Sequence, residues 1–224
     1  MKNGMKYTLA AIIAIVPFAF LLYIYPQLPG TVPTHFGLDG KPDDYSSKDT
    51  LFLAVGMLSL VGLGCFFLLL NIQKIDPKKR NNPPAIMAKF AFAVLVMMSL
   101  IQILILQSAQ IGSIGFDKFL LPLLGLFFTF LGNLFYSLKP NYFVGMRTPW
   151  ALEDDNNWRQ THQLAGKLWF AGGLLALVIS LITSFKVAMI SFIVITFIII
   201  IIPVVYSYKI FKNTRHPKNN NSLA

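Results

Sequence analysis

Residues 187–206 read VAMISFIVITFIIIIIPVVY, twenty residues without a single charge. At a rise of about 1.5 Å per residue, that stretch makes roughly 30 Å of α-helix, the thickness of a bilayer's hydrocarbon core. Five further uncharged runs stand upstream: Tyr7–Tyr25, Leu51–Leu70, Phe90–Ala109, Phe119–Tyr136 and Leu168–Phe185. The whole chain of 224 residues is 55% hydrophobic and only 12% charged, with a mean hydropathy of +0.63. Soluble domains carry about twice that share of charge. The pattern predicts an all-α integral membrane protein with six transmembrane helices.

The first run follows Lys2 and Lys6, as a secretory leader would. Its apolar core exceeds the roughly 7–15 residues of a signal peptide, and it closes on Tyr23, Tyr25 and Pro26 rather than on a small-x-small site. An aromatic ending of this kind marks a membrane interface, so the helix is expected to be retained.

Orientation follows from the basic residues. Fifteen of the 19 Lys and Arg lie in the N-terminal segment, the second and fourth connections and the C-terminal tail; only Lys41, Lys48, Lys118 and Lys186 lie in the alternate connections. Cytoplasmic loops carry such an excess, so both termini are expected inside. The net charge of +10 is spread over four segments, which points to anionic membrane lipid rather than to direct nucleic-acid binding. Cys65 is the sole cysteine and lies within the second run, excluding a disulfide or a cysteine-based metal site within the chain.

None of the six runs holds Asp, Glu, Lys, Arg or His. Coupled transporters usually retain an ionisable group at that depth. In the fourth run, Gly125, Thr129, Gly132 and Asn133 recur at helical spacing on one face, where small residues let helices approach and Asn can bond across. Helix packing is the expected role of these four residues, ahead of a ligand site.

Two connections are too structured to be tethers. The outer one, residues 26–49, alternates Pro29, Pro33 and Pro42 with Gly30, Gly37 and Gly40, and Asp39-Gly40 is a turn signal. Thr34–Phe36 suits a short extended piece, and Ser46 with Asp49 has capping-box spacing for the second helix. His35, Asp39, Asp43 and Asp44 are candidate ligand-binding residues; their spacing fits neither a calcium loop nor a zinc motif, so no metal is expected, and a solvated acidic loop remains the plainer alternative.

The inner connection, residues 137–166, holds KPNYFVGMRTPW at 139–150. Thr148-Pro149 is a helix start, with Glu153, Asp154 and Asp155 favoured by the helix dipole behind it. Trp150, Trp158, Thr161, His162 and Ala165 share one third of the helical wheel. This predicts a short interfacial cytoplasmic helix anchored by two tryptophans. Asn141 and Gly145 reverse the chain, Lys139 and Arg147 offer positive charge, and Arg147 suits a fork-specific clamp on a carboxylate, a phosphate or helix-end carbonyls, the alternative being one more inside charge. Seven residues separate Asp155 from His162, about 10 Å of helix, too far for one metal ion. No Ser/His/Asp set, phosphate-cradling loop or HExxH motif occurs, so no catalytic residues, enzyme activity or cofactor are expected.

The outer stretch LPGTVPTHFGLDGKPDDYSSK (28–48) resembles the domain of unknown function, DUF1648, that often heads the SdpI family of bacterial membrane proteins. GNLFYSLKPNYFVGMRTPWALEDDNNWRQTHQLAG (132–166) resembles that family's C-terminal module, with Gly132, Asn133, Lys139, Pro140, Asn141, Gly145, Arg147, Thr148, Pro149, Trp150, Trp158, Thr161 and His162 all at pattern positions. Gly37, Ala151 and Gln163 depart from it. The resemblance implies a DUF1648-like module over residues 1–85, an SdpI-like module over 86–210 and a basic tail, expected to be disordered, over 211–224. It further implies a multi-pass protein of the bacterial cytoplasmic membrane that confers immunity to a secreted antimicrobial peptide toxin and recruits a cytoplasmic repressor. Two other classes stay open: a transporter or flippase for a lipid or peptide, favoured by an aqueous cavity at Gln102 and Asn133, and an enzyme acting on lipid headgroups, favoured by clustering of His162, Arg147 and acids.

Overall fold

The computed structural model describes residues 3–38, 40–77, 83–111 and 116–215. Six long helices account for the apolar runs: α1 (Asn3–Ile24), α2 (Thr50–Leu70), α4 (Pro84–Ile111), α5 (Phe116–Phe135), α7 (Asp155–Ile182) and α8 (Phe185–Arg215); two short ones, α3 (Ile72–Ile75) and α6 (Pro149–Glu153), lie in the connections. Each is long and apolar enough to cross a membrane, and the chain is a multi-pass membrane protein. Their outward faces carry Ile12, Leu60, Val178 and Ile201, all exposed. Hydrocarbon is the environment in which such a surface costs nothing.

The helices pack in two groups. α4 lies against α1 and α2, while α5 lies against α7, and α7 against α8; contact between α4 and α5 joins the groups. Two apolar clusters mark the ends of the molecule. One gathers Ala10, Phe66, Leu69, Met87, Phe90, Leu134, Phe135, Leu138 and Trp158. This is the basic end, where Lys6, Lys74 and Lys89 also lie. The other gathers Leu21, Ile24, Leu28, Val32, Leu51, Val55 and Leu106.

The second cluster is capped by a feature that a purely helical fold lacks. Strands β1 (Thr31–Phe36) and β2 (Pro42–Ser47) form an antiparallel hairpin, with Val32 opposite Ser46, Pro33 opposite Tyr45 and His35 opposite Asp44. Gly40 closes its turn at φ 77°, a conformation open to glycine at little steric cost. Val32 is fully buried against α1, α2 and α4 residues, so one side chain docks the hairpin on the bundle. Extended pairing therefore covers far more of residues 26–49 than Thr34–Phe36. The expected capping box does not form: α2 starts at Thr50 after Asp49, and no side chain caps it. Asp49 is drawn away by stronger partners, accepting from the Tyr25 hydroxyl and from Ser47 Oγ at 3.1 Å.

At the basic end, the interfacial helix is shorter than the sequence predicts. α6 spans only Pro149–Glu153, because Asp154 turns extended and caps a new helix by accepting from Asn156 N at 2.8 Å. Trp158, Thr161 and His162 thus belong to the first turns of α7, which runs unbroken into the membrane. Polar bonds to α8 hold those turns in line with the span. The chain end also differs from expectation, since α8 continues to Arg215 and makes residues 211–215 helical; residues 216–224 lie outside the described residues.

Candidate functional site at the basic end

Helix α5 ends at Phe135, and the chain turns back through residues 136–148 to reach α6. Asn141 organises that loop. Its Oδ1 accepts from Phe143 N at 2.9 Å and Val144 N at 2.7 Å, while Nδ2 donates to Lys139 O at 3.0 Å and Val144 O at 3.1 Å. The residue is fully buried, with its oxygen doubly paired and both amide hydrogens used. No other side chain offers two acceptor lone pairs and two donors on so short a stem.

The loop then meets His162. Gly145 adopts φ 102°, and a Cβ there would stand 2.3 Å from His162 Nε2. This close approach lets the next amide, Met146 N, donate to Nε2 at 3.0 Å. A backbone N–H only donates, so Nε2 is the acceptor and Nδ1 carries the proton, which it gives to Trp158 O at 2.8 Å. His162 is a neutral imidazole with both nitrogens in use. Trp158 stacks on it at 3.9 Å between ring centroids, Phe135 meets it edge-on, and Trp158 Nε1 donates to Leu138 O at 2.8 Å. Gly145, Trp158 and His162 therefore form one buried unit that pins the loop to α7.

A second polar unit joins α7 to α8. Asn157 Nδ2 donates to Ser207 O at 2.9 Å, and Asn157 Oδ1 accepts from Ser207 Oγ at 2.6 Å and Thr161 Oγ1 at 3.0 Å. The Thr148 hydroxyl lies 3.3 Å from Ser207 Oγ, which is where it is engaged instead of capping α6. Trp150 packs on Tyr208 and Phe211 of α8. Trp158 is 1% exposed, so it is a core residue rather than a headgroup anchor. Arg147 is exposed and gives one Nη1 bond to Tyr142 O at 2.9 Å, and Lys139 is exposed beside the loop.

Below this platform, α5 and α7 touch backbone to backbone. A Cβ on Gly132 would stand 2.8 Å from Gly166 O, and one on Gly125 would stand 2.9 Å from Gly173 O. Thr129 fits the same seam, its hydroxyl donating to Gly125 O at 2.9 Å. Asn133 is exposed and off this contact, because it sits at the edge of the face that the three smaller residues share. Gly166 and Gly173 were not singled out from the sequence, although their spacing of seven repeats that of Gly125 and Gly132. Nor were Asn157 and Ser207, which lie 50 residues apart and carry no local signal. Gln102 is buried between α2 and α4, accepting from Ser59 Oγ at 3.0 Å and donating to Met98 O at 3.2 Å, so it serves packing.

At the opposite end, the hairpin sets His35 Nδ1 against Asp43 Oδ1, and both side chains are more than half exposed. Asp44 Oδ1 accepts from Tyr45 N at 2.8 Å, and Asp39 lies outside the described residues. Lys48 Nζ sits 4.4 Å from the Tyr25 ring centre and donates to Tyr25 O at 3.3 Å, tying the hairpin base to the turn that follows α1. Among the described residues, no three His, Cys, Asp or Glu are placed to hold a metal ion.

Comparison with known proteins bears out the resemblance read from the sequence. Residues 137–207 match the model of the SdpI/YfhL protein family, and residues 12–58 match that of a domain of unknown function, DUF1648. The first match spans the platform and its seat on α7 and α8; the second spans most of α1, the hairpin and the start of α2. The chain is 23% identical over 207 residues to the immunity protein SdpI of Bacillus subtilis (strain 168), covering 92% of this chain and 96% of that protein. It is 44% identical over 45 residues to an uncharacterized protein of Archaeoglobus fulgidus, covering 18% of this chain and 25% of that one. No solved structure matches.

Proposed function

We infer that this chain is an immunity-type protein of the bacterial cytoplasmic membrane, protecting its cell against a secreted antimicrobial peptide toxin. The observation that carries the reading is the end-to-end similarity to an immunity protein, over 92% of this chain and 96% of that relative. The architecture supports it: a membrane bundle joins a folded cap at one end to a rigid platform at the other. In the proposed topology, both termini and the platform face the cytoplasm, as the distribution of Lys and Arg demands. The hairpin then faces outward and presents His35, Asp43 and Asp44 to a cationic toxin. The platform, with Lys139 and Arg147 exposed beside it, is the surface a cytoplasmic repressor would meet.

Survival of toxin-sensitive bacteria expressing the chain, challenged with secreted antimicrobial peptides, tests the reading. Protection against at least one peptide, weakened when Asp43 and Asp44 become Asn at unchanged membrane level, is the expected result. Protection indifferent to the acids would move toxin contact into the bundle, and sensitivity equal to empty-vector cells across the panel would refute immunity. Reporter fusions check the topology: Asp43 should read outside, with Arg80 and Asn156 inside.

A further inference from the structure

A cavity of about 660 Å³ opens on the side of the bundle between α4 and α5, at the junction of the two helix groups. Its walls are apolar, with Phe92, Val96 and Leu100 on α4 and Leu126 and Phe130 on α5. Its basic end differs in kind, because Lys6 of α1 and Lys89 of α4 both line it there. Lys6 also lines a second, smaller cavity of about 220 Å³, shared with Asn71 and Lys74. Asp76 is the sole acid in residues 71–89, and it is buried. Among the described residues, neither Lys6 nor Lys89 has a carboxylate partner.

The geometry points to a binding site for one anionic phospholipid, its phosphate held by Lys6 and Lys89 and one acyl chain laid along the α4–α5 groove. Depth supports this occupant. From Lys89 to Leu100 is eleven residues, about 16 Å of helix, which is roughly half of the ~30 Å hydrocarbon core and so the depth of one leaflet. Size supports it too, since ligand sites run from about 300 to 1,000 Å³. Charge complementarity selects the headgroup: a phosphodiester that bears net negative charge gains from two lysines, whereas a zwitterion brings its own cation to the same place. Each lysine near an anionic lipid surface is worth about 5-fold in binding, so the pair predicts a preference of about 25-fold. The site is independent of the immunity reading, because it calls on neither the hairpin nor a toxin.

Native mass spectrometry of the full chain, released from detergent with defined lipids, tests the assignment. Phosphatidylglycerol and phosphatidylethanolamine with identical acyl chains are compared, with glycerol phosphate as the headgroup lacking a chain. One retained phosphatidylglycerol, preferred at least 10-fold, is expected for the wild-type chain. The Lys6→Gln/Lys89→Gln variant should lose the preference and keep the ligand-free melting temperature. Val96→Trp, which fills the groove, should lose both lipids; Leu126→Trp on the facing wall serves if that variant does not fold. Equal retention of the two lipids, or a preference that survives loss of both lysines, overturns the site. So does competition by glycerol phosphate at the potency of the lipid, or a stoichiometric dimer of this chain that Val96→Trp dissociates.

Discussion

Gly145→Ala should break the seat of the platform loop, and the size of the effect follows from two separable causes. The backbone there sits at φ 102°, which a side chain with a Cβ tolerates at a cost of about 1–3 kcal/mol. The new methyl would also stand 2.3 Å from His162 Nε2, well inside van der Waals contact. Relief requires the imidazole to move away from Met146 N, which breaks a 3.0 Å hydrogen bond in a partly buried place and costs about 1–3 kcal/mol more. The sum is about 2–6 kcal/mol, a large part of the ~5–15 kcal/mol that holds a typical domain folded. A double-mutant cycle separates the causes. In a His162→Ala background, the imidazole clash and its bond are gone, which leaves the backbone strain and a 2.9 Å contact with Leu138 Cδ2, the far end of a flexible side chain. Unfolding in mixed micelles, followed by tryptophan fluorescence, should show Gly145→Ala costing about 1–3 kcal/mol less in that background. Equal cost in both backgrounds would refute the coupling of Gly145 to His162 and reduce the glycine to a turn residue.

Three further outcomes are expected. Gly132→Ala drives a methyl to 2.3 Å from Phe170 N and should cost at least about 2 kcal/mol, whereas Gly64→Ala, with nothing within 4 Å, should be silent or slightly stabilising in the same unfolding assay. Arg147→Lys should stay within about 0.5 kcal/mol of wild type, since a single exposed bond to Tyr142 O needs no planar fork; a loss as large as that of Arg147→Ala would restore the fork-specific clamp. Hydrogen bonds from Tyr25 and then Ser47 hold the Asp49 carboxyl below its ordinary value of 3.8. Asp49 therefore steadies the hairpin base above that pH and releases it as pH falls through the lowered value. Amide exchange in β1 and β2 should rise below about pH 4, and Tyr25→Phe should remove most of that dependence.

The amino-acid sequence determined the class of this protein and the number of its spans. Uncharged runs of about twenty residues have only one stable solution in hydrocarbon, because every backbone polar group must be paired within the segment. Nothing tertiary is needed to read that. The turn chemistry of Asn141 and Gly145 was legible for the same reason, since it rests on local stereochemistry. Tertiary structure decided what those residues are for. Gly145 is needed less for reversal than for room beside His162, and that proximity joins a loop to a residue 17 positions away. Trp158 looked amphipathic on a helical wheel, yet a wheel cannot say whether its apolar face meets lipid or protein; α5 and the loop cover it. The hairpin hid behind proline and glycine because strand pairing is made between segments, and Asp49 left its local capping role for a tyrosine 24 residues back. Local physics fixed where the chain crosses and turns, while partners distant in sequence fixed which polar groups ended buried together.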